Sequence, residues 1–275
     1  MQIEFFGTRG SVPSCGIEYV KYGGNTTCVQ IITDNGTKLL IDAGTGIRNV
    51  ADVSMKDTIR IFLTHSHWDH LQGLPFFGHI YSPIAKFEYY MSAKNYASIK
   101  DDLYKQMSGT TFPVDFKSLP CEMSFIKVDN KLKISDDLEL EVFENAHPGE
   151  ASAVKVISGK KVFTFLTDNE IEMLERENRY NDLVEFCKGS DCIAHDAQYS
   201  KEEYAKKPGW GHSSINQVID LLIKVKPQIG IFTHHDPNHT DIQLDEFEEL
   251  GKQMLKEANV QMLFFGAKEN DVIEF

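Results

Sequence analysis

The chain is short of basic residues and lacks the usual staples and anchors. Lysine and arginine number 28 against 41 acidic residues, a formal net charge of −13. Phosphate backbones are gripped by lysine and arginine, so this balance argues against holding long nucleic acid on a broad surface. The five cysteines are odd in number and scattered, with no Cys-x-x-Cys pair, which leaves no disulfide framework and no thiolate zinc knuckle. No run approaches the roughly 18 apolar residues of a membrane span. The opening MQIEFFGTRG has neither the basic start nor the apolar core of a signal peptide. A cytoplasmic protein that meets a small substrate, and no membrane, is the expectation. No low-complexity linker, Pro/Gly/Ser-rich hinge or exact repeat divides the 275 residues, so residues 1–275 read as one domain. Monomer and homo-oligomer both stay open.

What is present is a series of short apolar runs, most ending at glycine, aspartate or histidine. Ile3–Phe6, Cys28–Ile32, Lys38–Ile41, Ile59–Leu63, Leu138–Phe143, Ala153–Ile157, Val162–Leu166, Cys192–Ala194 and Ile229–Phe232 read as strands. Helical spacing appears later. Ile215, Val218, Ile219, Leu222 and Val225 follow a cap at Ser213 or Ser214, and Phe247, Leu250, Met254 and Ala258 make a second stripe. Glu170 to Cys187 also reads as helix. Early strands with helices interleaved later indicate an α/β sandwich. Residues 81–120 are rich in tyrosine and phenylalanine with weak periodicity. They read as helix-and-loop packing or as an insertion that walls a pocket with aromatic faces.

The histidines carry the chemistry. In Leu63-Thr64-His65-Ser66-His67-Trp68-Asp69-His70 a strand-like run ends in four ligand-type residues within six positions. His65 and His67 are two apart, so an extended chain end turns both imidazoles the same way. Asp69 and His70 follow where the chain must turn, in reach of a second point nearby. Imidazole and carboxylate suit Zn²⁺ and similar ions, and two-metal hydrolases hold their ions about 3.5–4 Å apart. Six residues cannot close two sites. His147, Asp168 and His234 each follow an apolar strand-like run and offer the missing ligands. Strand ends are rigid places to mount them.

The His-Ser-His-Trp-Asp-His run, Asp42 in Leu40-Ile41-Asp42-Ala43-Gly44, and the strand-end His147, Asp168 and His234 together resemble the metallo-β-lactamase superfamily over essentially the whole chain. That resemblance implies a four-layer αββα sandwich of two mixed sheets with two divalent ions, most naturally Zn²⁺, with Mn²⁺ or Fe²⁺ also suited to such ligands. It assigns His65, His67 and His147 to one ion and Asp69, His70 and His234 to the other. Asp168 lies between them, and Asp42 supports the loop from behind. His67 stands where the oxygen-reducing di-iron branch is expected to carry an acid, which disfavours redox chemistry.

Other segments resemble the phosphodiesterase branch, its tRNA 3′-end endonucleases and bacterial cyclic-nucleotide phosphodiesterase-like members. Ile193-Ala194-His195-Asp196-Ala197-Gln198 resembles the endonucleases' His-Glu-Ala-Thr stretch, and Gly211-His212-Ser213-Ser214 their Gly-His-Ser segment. These imply His212 as general acid with Asp196 as its partner, although aspartate is shorter than the family's glutamate. Phe6-Gly7-Thr8-Arg9-Gly10-Ser11, Tyr22-Gly23-Gly24-Asn25-Thr26 and Ser213 add Arg9, Asn25 and Ser213 as expected substrate contacts. Only 27 residues separate Asp168 from Asp196, too few for the arm with which tRNA-processing relatives grip RNA. The expectation is a small phosphodiester such as cyclic AMP or cyclic GMP, attacked by hydroxide formed between two cations, with Asp69 orienting it. A carbonyl hydrolase of the same fold, acting on a thioester, lactone or β-lactam, and a non-enzymatic metal-stabilised binding protein are the rivals.

Overall fold

A computed structural model describes residues 1–51 and 57–275. Among them the first half supplies β1 (Gln2–Gly7), β2 (Cys28–Ile32), β3 (Lys38–Ile41), β4 (Thr58–Phe62), α1 (Trp68–Leu71), β5 (Lys86–Ser92), α2 (Tyr96–Gln106) and β6 (Glu122–Val128). The second half supplies β7 (Lys131–Ser135), β8 (Leu138–Glu144), β9 (Ser152–Ser158), β10 (Lys161–Leu166), α3 (Ile171–Arg176), α4 (Tyr180–Cys187) and β11 (Cys192–Asp196). It continues with α5 (Lys201–Tyr204), α6 (Ile215–Val225), β12 (Ile229–Thr233), α7 (Asp241–Glu257), β13 (Leu263–Gly266) and β14 (Val272–Glu274).

The strands form two seven-stranded sheets, β14-β1-β2-β3-β4-β5-β6 and β13-β12-β11-β10-β9-β8-β7. Each is mixed. The run from β3 to β6 is parallel, as is the run from β10 to β13, while the remaining neighbours are antiparallel. Successive side chains of a strand point to opposite faces, and that alternation builds three apolar layers. Ile3, Phe5, Val29, Ile31, Phe163, Phe165, Ala194 and Ile231 meet between the sheets. On the far face of the first sheet, Leu40, Ile59, Ile61, Phe87 and Tyr89 pack with Ile99 and Leu103 of α2. Beyond the second sheet, Leu166, Ile193 and Phe232 pack against Leu174, Leu183, Val218, Leu222 and Phe247 of the helices. Helix, sheet, sheet, helix is the four-layer sandwich of the metallo-β-lactamase fold.

Local chemistry explains the helix limits. Ser214 caps α6 and Thr240 caps α7, each in a reciprocal capping box with a glutamine three residues on. Glu170 to Cys187 is not one helix: it breaks into α3 and α4 at Asn178, whose φ of +59° turns the chain. In α7 the buried stripe is Leu244, Phe247, Gly251 and Leu255, whereas Leu250 is exposed. Residues 81–120 are not a peripheral insertion throughout, because β5 pairs in parallel with both β4 and β6. Alternation of Phe87, Tyr89 and Met91 toward the outer core makes it an interior strand.

Candidate metal centre

β4 ends at Phe62, and the chain runs without regular structure to His67, whose extended backbone (ψ 151°) starts the single turn of α1. This change separates the run into two pairs. His65 and His67 approach His147, which follows β8. Asp69 and His70, raised on the helical turn, approach His234, which follows β12 with a left-handed φ of +57°. Asp168, after β10, also has a left-handed φ, +52°.

Asp168 joins the two groups. Its Oδ2 lies 3.5 Å from His65 Nε2 and 3.5 Å from His147 Nε2. Its Oδ1 lies 3.1 Å from His70 Nε2 and 3.2 Å from His234 Nε2. Within the first group His67 Nδ1 and His147 Nε2 are 3.1 Å apart. Within the second, Asp69 Oδ2 is 3.3 Å from His70 Nε2 and 3.2 Å from His234 Nε2. One carboxylate therefore turns one oxygen to each group.

The far atoms of these side chains are held from behind. Asp42, buried with a φ of +62°, meets His70 Nδ1 at 2.8 Å and accepts from the backbone N–H of Thr64 at 2.8 Å. His147 Nδ1 meets the Gly211 carbonyl at 2.9 Å, and His234 Nδ1 meets Gln198 Oε1 at 3.2 Å. The Ser11 N–H donates to Asp69 Oδ2 at 2.7 Å. Such outer contacts fix the tautomer and ring orientation of ligating imidazoles. His235 belongs elsewhere: its Nε2 meets the Ala267 carbonyl at 2.9 Å, against Phe232 and Tyr22.

The electrostatics fit a cation. Burial pushes His65 well down, lowers His67 and brings His147 to about 4, so these rings are neutral, the form that ligates. Burial also opposes charge on His70 and His234, but Asp168 and Asp69 outweigh it, with Asp42 adding to the pull on His70. His70 is raised well above its ordinary value and His234 to about 9. Conversely, burial pushes Asp69 and Asp168 up while the surrounding imidazoles prevail and hold both well below the usual carboxylate range. The carboxylates thus favour positive charge at His70 and His234, charge that divalent cations would supply through the same atoms. His65 Nε2 is buried with no hydrogen-bond partner. The 3.1–3.5 Å donor spacings match the edge of a tetrahedron with 2.0–2.1 Å bonds, about 3.4 Å.

His212 stands beside both groups, its ring 5.2 Å from that of His147 and 5.0 Å from that of His234. Its Nδ1 meets Asp196 Oδ2 at 2.8 Å, so the shorter carboxylate does reach. Asp196 in turn accepts from the backbone N–H groups of Gln198 and Asn169. His212 also gathers with Asp168 and His234 in a third group of ligand-type atoms. A cavity of 1270 Å³ opens here, with His67, Asp69, Asp168 and His212 in its lining together with Trp68, Phe76 and Phe112.

The three expected substrate contacts do not face this cavity. Arg9 is fully buried and donates from Nε to the Gly23 carbonyl at 2.8 Å and from a terminal nitrogen to the carbonyls of His239 (2.7 Å) and Asp236 (3.2 Å). It ties the first glycine-rich bend to the loop after His234, its forked guanidinium donating to carbonyls of both. Asn25 donates from Nδ2 to Glu269, and Ser213 bonds the backbone of Asn169 and Ile171. In the 81–120 segment, Asp102, Lys105, Gln106, Thr111 and Phe112 line the cavity, whereas Phe87, Tyr89 and Phe116 are core.

Glu170 escaped the sequence reading. Buried, it accepts from Tyr204 Oη at 2.8 Å and from the N–H groups of Gly209 (2.7 Å) and Gly211 (2.8 Å). It shapes the loop that presents both the Gly211 carbonyl and His212. Gly211 has a φ of +88°, and a Cβ there would lie 2.0 Å from His147 Nδ1, so this position takes only glycine. An acidic residue two places after Asp168 was the available signal.

Comparison with known proteins gives consistent results. A family model described as Anti-Pycsar protein Apyc1 matches residues 3–256. The ribonuclease Z of Picrophilus torridus is 21% identical, with 88% of each chain covered. Among solved structures, the metallo-β-lactamase fold protein YhfI from Bacillus subtilis superposes with a TM-score of 0.73 at 13% identity, covering 100% of this chain and 98% of the other. A diphosphatase of the PhnP family gives 0.69 at 17% identity, covering 100% and 97%. The chain is thus similar to a ribonuclease Z and to a diphosphatase, and its histidine and aspartate clusters fit divalent metal ions.

Proposed function

The chain belongs to the Anti-Pycsar protein Apyc1 family, and from that premise we propose that residues 1–275 act as one phosphodiesterase unit with a dinuclear centre. Its substrate is a small phosphodiester, a cyclic nucleotide of the cyclic AMP or cyclic GMP kind. His65, His67 and His147 would hold one ion and Asp69, His70 and His234 the other, with Asp168 facing both groups; Zn²⁺ would suit this set. When bound, the ions supply positive charge that neutralises phosphoryl oxygens and acidifies a water.

The chain's own groups do the rest. Asp69, fixed by the Ser11 N–H, orients the nucleophile as an acceptor. Asp196 holds the Nδ1–H of His212, so a proton taken up at Nε2 gives an imidazolium paired with a carboxylate, and that second proton is the transferable one. His212 then donates that proton to the departing alkoxide. The observation that carries the reading is this pairing of a buried His212–Asp196 dyad with a centre in which Asp168 faces two ligand groups. A carbonyl hydrolase would leave the dyad without a task. Small size follows from the 27 residues between Asp168 and Asp196, which α3 and α4 fill without a projecting arm. No helix among the described residues is long and apolar enough to cross a membrane.

Purified protein assayed with cyclic AMP, cyclic GMP, bis-p-nitrophenyl phosphate and nitrocefin tests the assignment. Turnover of the cyclic nucleotides is expected, abolished in His67→Ala and sharply reduced in His212→Ala. Nitrocefin turnover without phosphodiester turnover, or full rates in both variants, would overturn it.

A further inference from the structure

The cavity lining also includes residues with no part in the chemistry above. Trp68, between two residues of the metal run, is 82% exposed, and Phe76 is 61% exposed. Neither belongs to an apolar core cluster. Large aromatic side chains bury well, and two left in water beside a catalytic centre mark a binding face. The wall is also braced. Phe76 ends a single 3-10 turn, Leu74–Phe76, whose proline fixes the backbone. Its ring stands edge-to-face with Phe112, centroids 5.6 Å apart and planes at 89°, and Phe112 itself leans on the outer core.

Several polar groups around this wall have partners in the fold, while Gln106 Oε1 is buried with none. Asp102 accepts from Ser66 Oγ and Lys105 Nζ, Gln72 donates to Thr26 Oγ1, and Gln106 donates to the Leu71 carbonyl. Aromatic faces are the large apolar surface that the cavity offers a ligand here, beside the polar Lys105 and Gln106.

We infer that Trp68 and Phe76, with Phe112 behind, form a stacking subsite for the nucleobase of the substrate whose phosphate lies at Asp168 and His212. The inference rests on the phosphodiesterase reading above. Every base has a flat π-face, and aromatic side chains stack on it in single-stranded nucleic acid recognition. Trp68 sits one residue from His67 and from Asp69, so the chain itself sets the wall beside the phosphate position. A base held there keeps the leaving oxygen toward His212.

Two measurements test this on the metal-loaded protein. First, kcat/KM for cyclic AMP is compared with that for the cyclic phosphate of methyl riboside, which has no base. Trp68→Ala is expected to lower kcat/KM for cyclic AMP about tenfold or more, mainly through KM. It should leave the base-free substrate unchanged, and Trp68→Tyr should restore most of the loss. No loss, or equal loss on both substrates, would overturn the subsite. Second, the chain has two tryptophans, so in Trp210→Phe the fluorescence reports Trp68 alone. Adenosine monophosphate should quench it and ribose phosphate should not. Absent quenching, equal quenching by both, or emission that shifts on dilution as a second copy uncovers the indole, would overturn the inference. Quenching by the nucleotide in a protein that turns over no cyclic nucleotide keeps the subsite and removes the phosphodiesterase reading. Cyclic nucleotide turnover without quenching does the reverse.

Discussion

The floor and the wall of the same cavity are built by opposite means. On the floor nearly every functional atom has a fixed neighbour. Asp42 and Gly211 orient His70 and His147, the Ser11 N–H holds Asp69, and Asp196 holds His212. On the wall, Trp68 and Phe76 stand in water, and Phe76 meets Phe112 edge-to-face. A preorganised polar floor has its reorganisation cost met during folding and acts on charge as it develops. An exposed aromatic wall gains its energy only when a ligand covers it. Floor substitutions should therefore cost rate and metal, while wall substitutions should cost affinity.

The largest effect is expected at the point where the two ligand groups join. Asp168→Ala removes the carboxylate that faces both, and should lower turnover about 1,000-fold or more, with metal content per chain falling in parallel. Full metal content in that variant would detach Asp168 from the centre. Next, His212→Ala should lower kcat about 100- to 10,000-fold while metal content stays at the wild-type level. That split separates proton donation from metal holding, and joint loss of metal would instead make His212 a ligand.

Glu170→Gln should be milder. It sets an amide N–H against backbone N–H groups that now meet a carboxylate. The Gly211 loop then loosens, and metal affinity or kcat should fall about 10- to 100-fold. An unchanged rate with an unchanged melting temperature would reduce Glu170 to a bystander.

The smallest effect concerns pH and the metal-free protein. His234 is raised to about 9 by Asp168 and Asp69 against the opposing effect of burial. A histidine with a raised folded pKa gives stability that is whole below its ordinary value, near 6.5, and lost as pH rises through about 9. The chelator-treated protein should thus melt at progressively lower temperature between those pH values. The metal-loaded protein should change less, because its cations replace the protons, so the gap in melting temperature widens with pH. A gap that narrows across that range would show that protons and metal do not share these atoms.

The floor was far more legible in the sequence than the wall. Ligands packed within six positions at the end of an apolar run stand out because their spacing is itself the geometry. His147, Asp168 and His234 could be found because three different runs end the same way. The wall has no such spacing. Trp68 sits unmarked inside the metal run, and Phe76 reads as one more aromatic residue in an apolar stretch. Arg9 misled for a related reason: its sequence neighbours show a glycine-rich bend, but not that the bend folds over the side chain and gives it Gly23, Asp236 and His239 as partners. Strand β5 was obscured by aromatic residues on both of its faces, since an interior parallel strand loses the polar alternation that marks a half-buried one. The outline of the fold followed from apolar periodicity. The break at Asn178 depended on a local left-handed turn that helical periodicity conceals.

The most direct test is to remove the metal and return Zn²⁺ stepwise while following cyclic AMP hydrolysis. Activity should climb until two equivalents per chain have bound and then stay level, with His212→Ala binding the same two equivalents and remaining slow. Full activity at one equivalent, or a fully loaded protein that leaves cyclic nucleotides intact, would contradict the account.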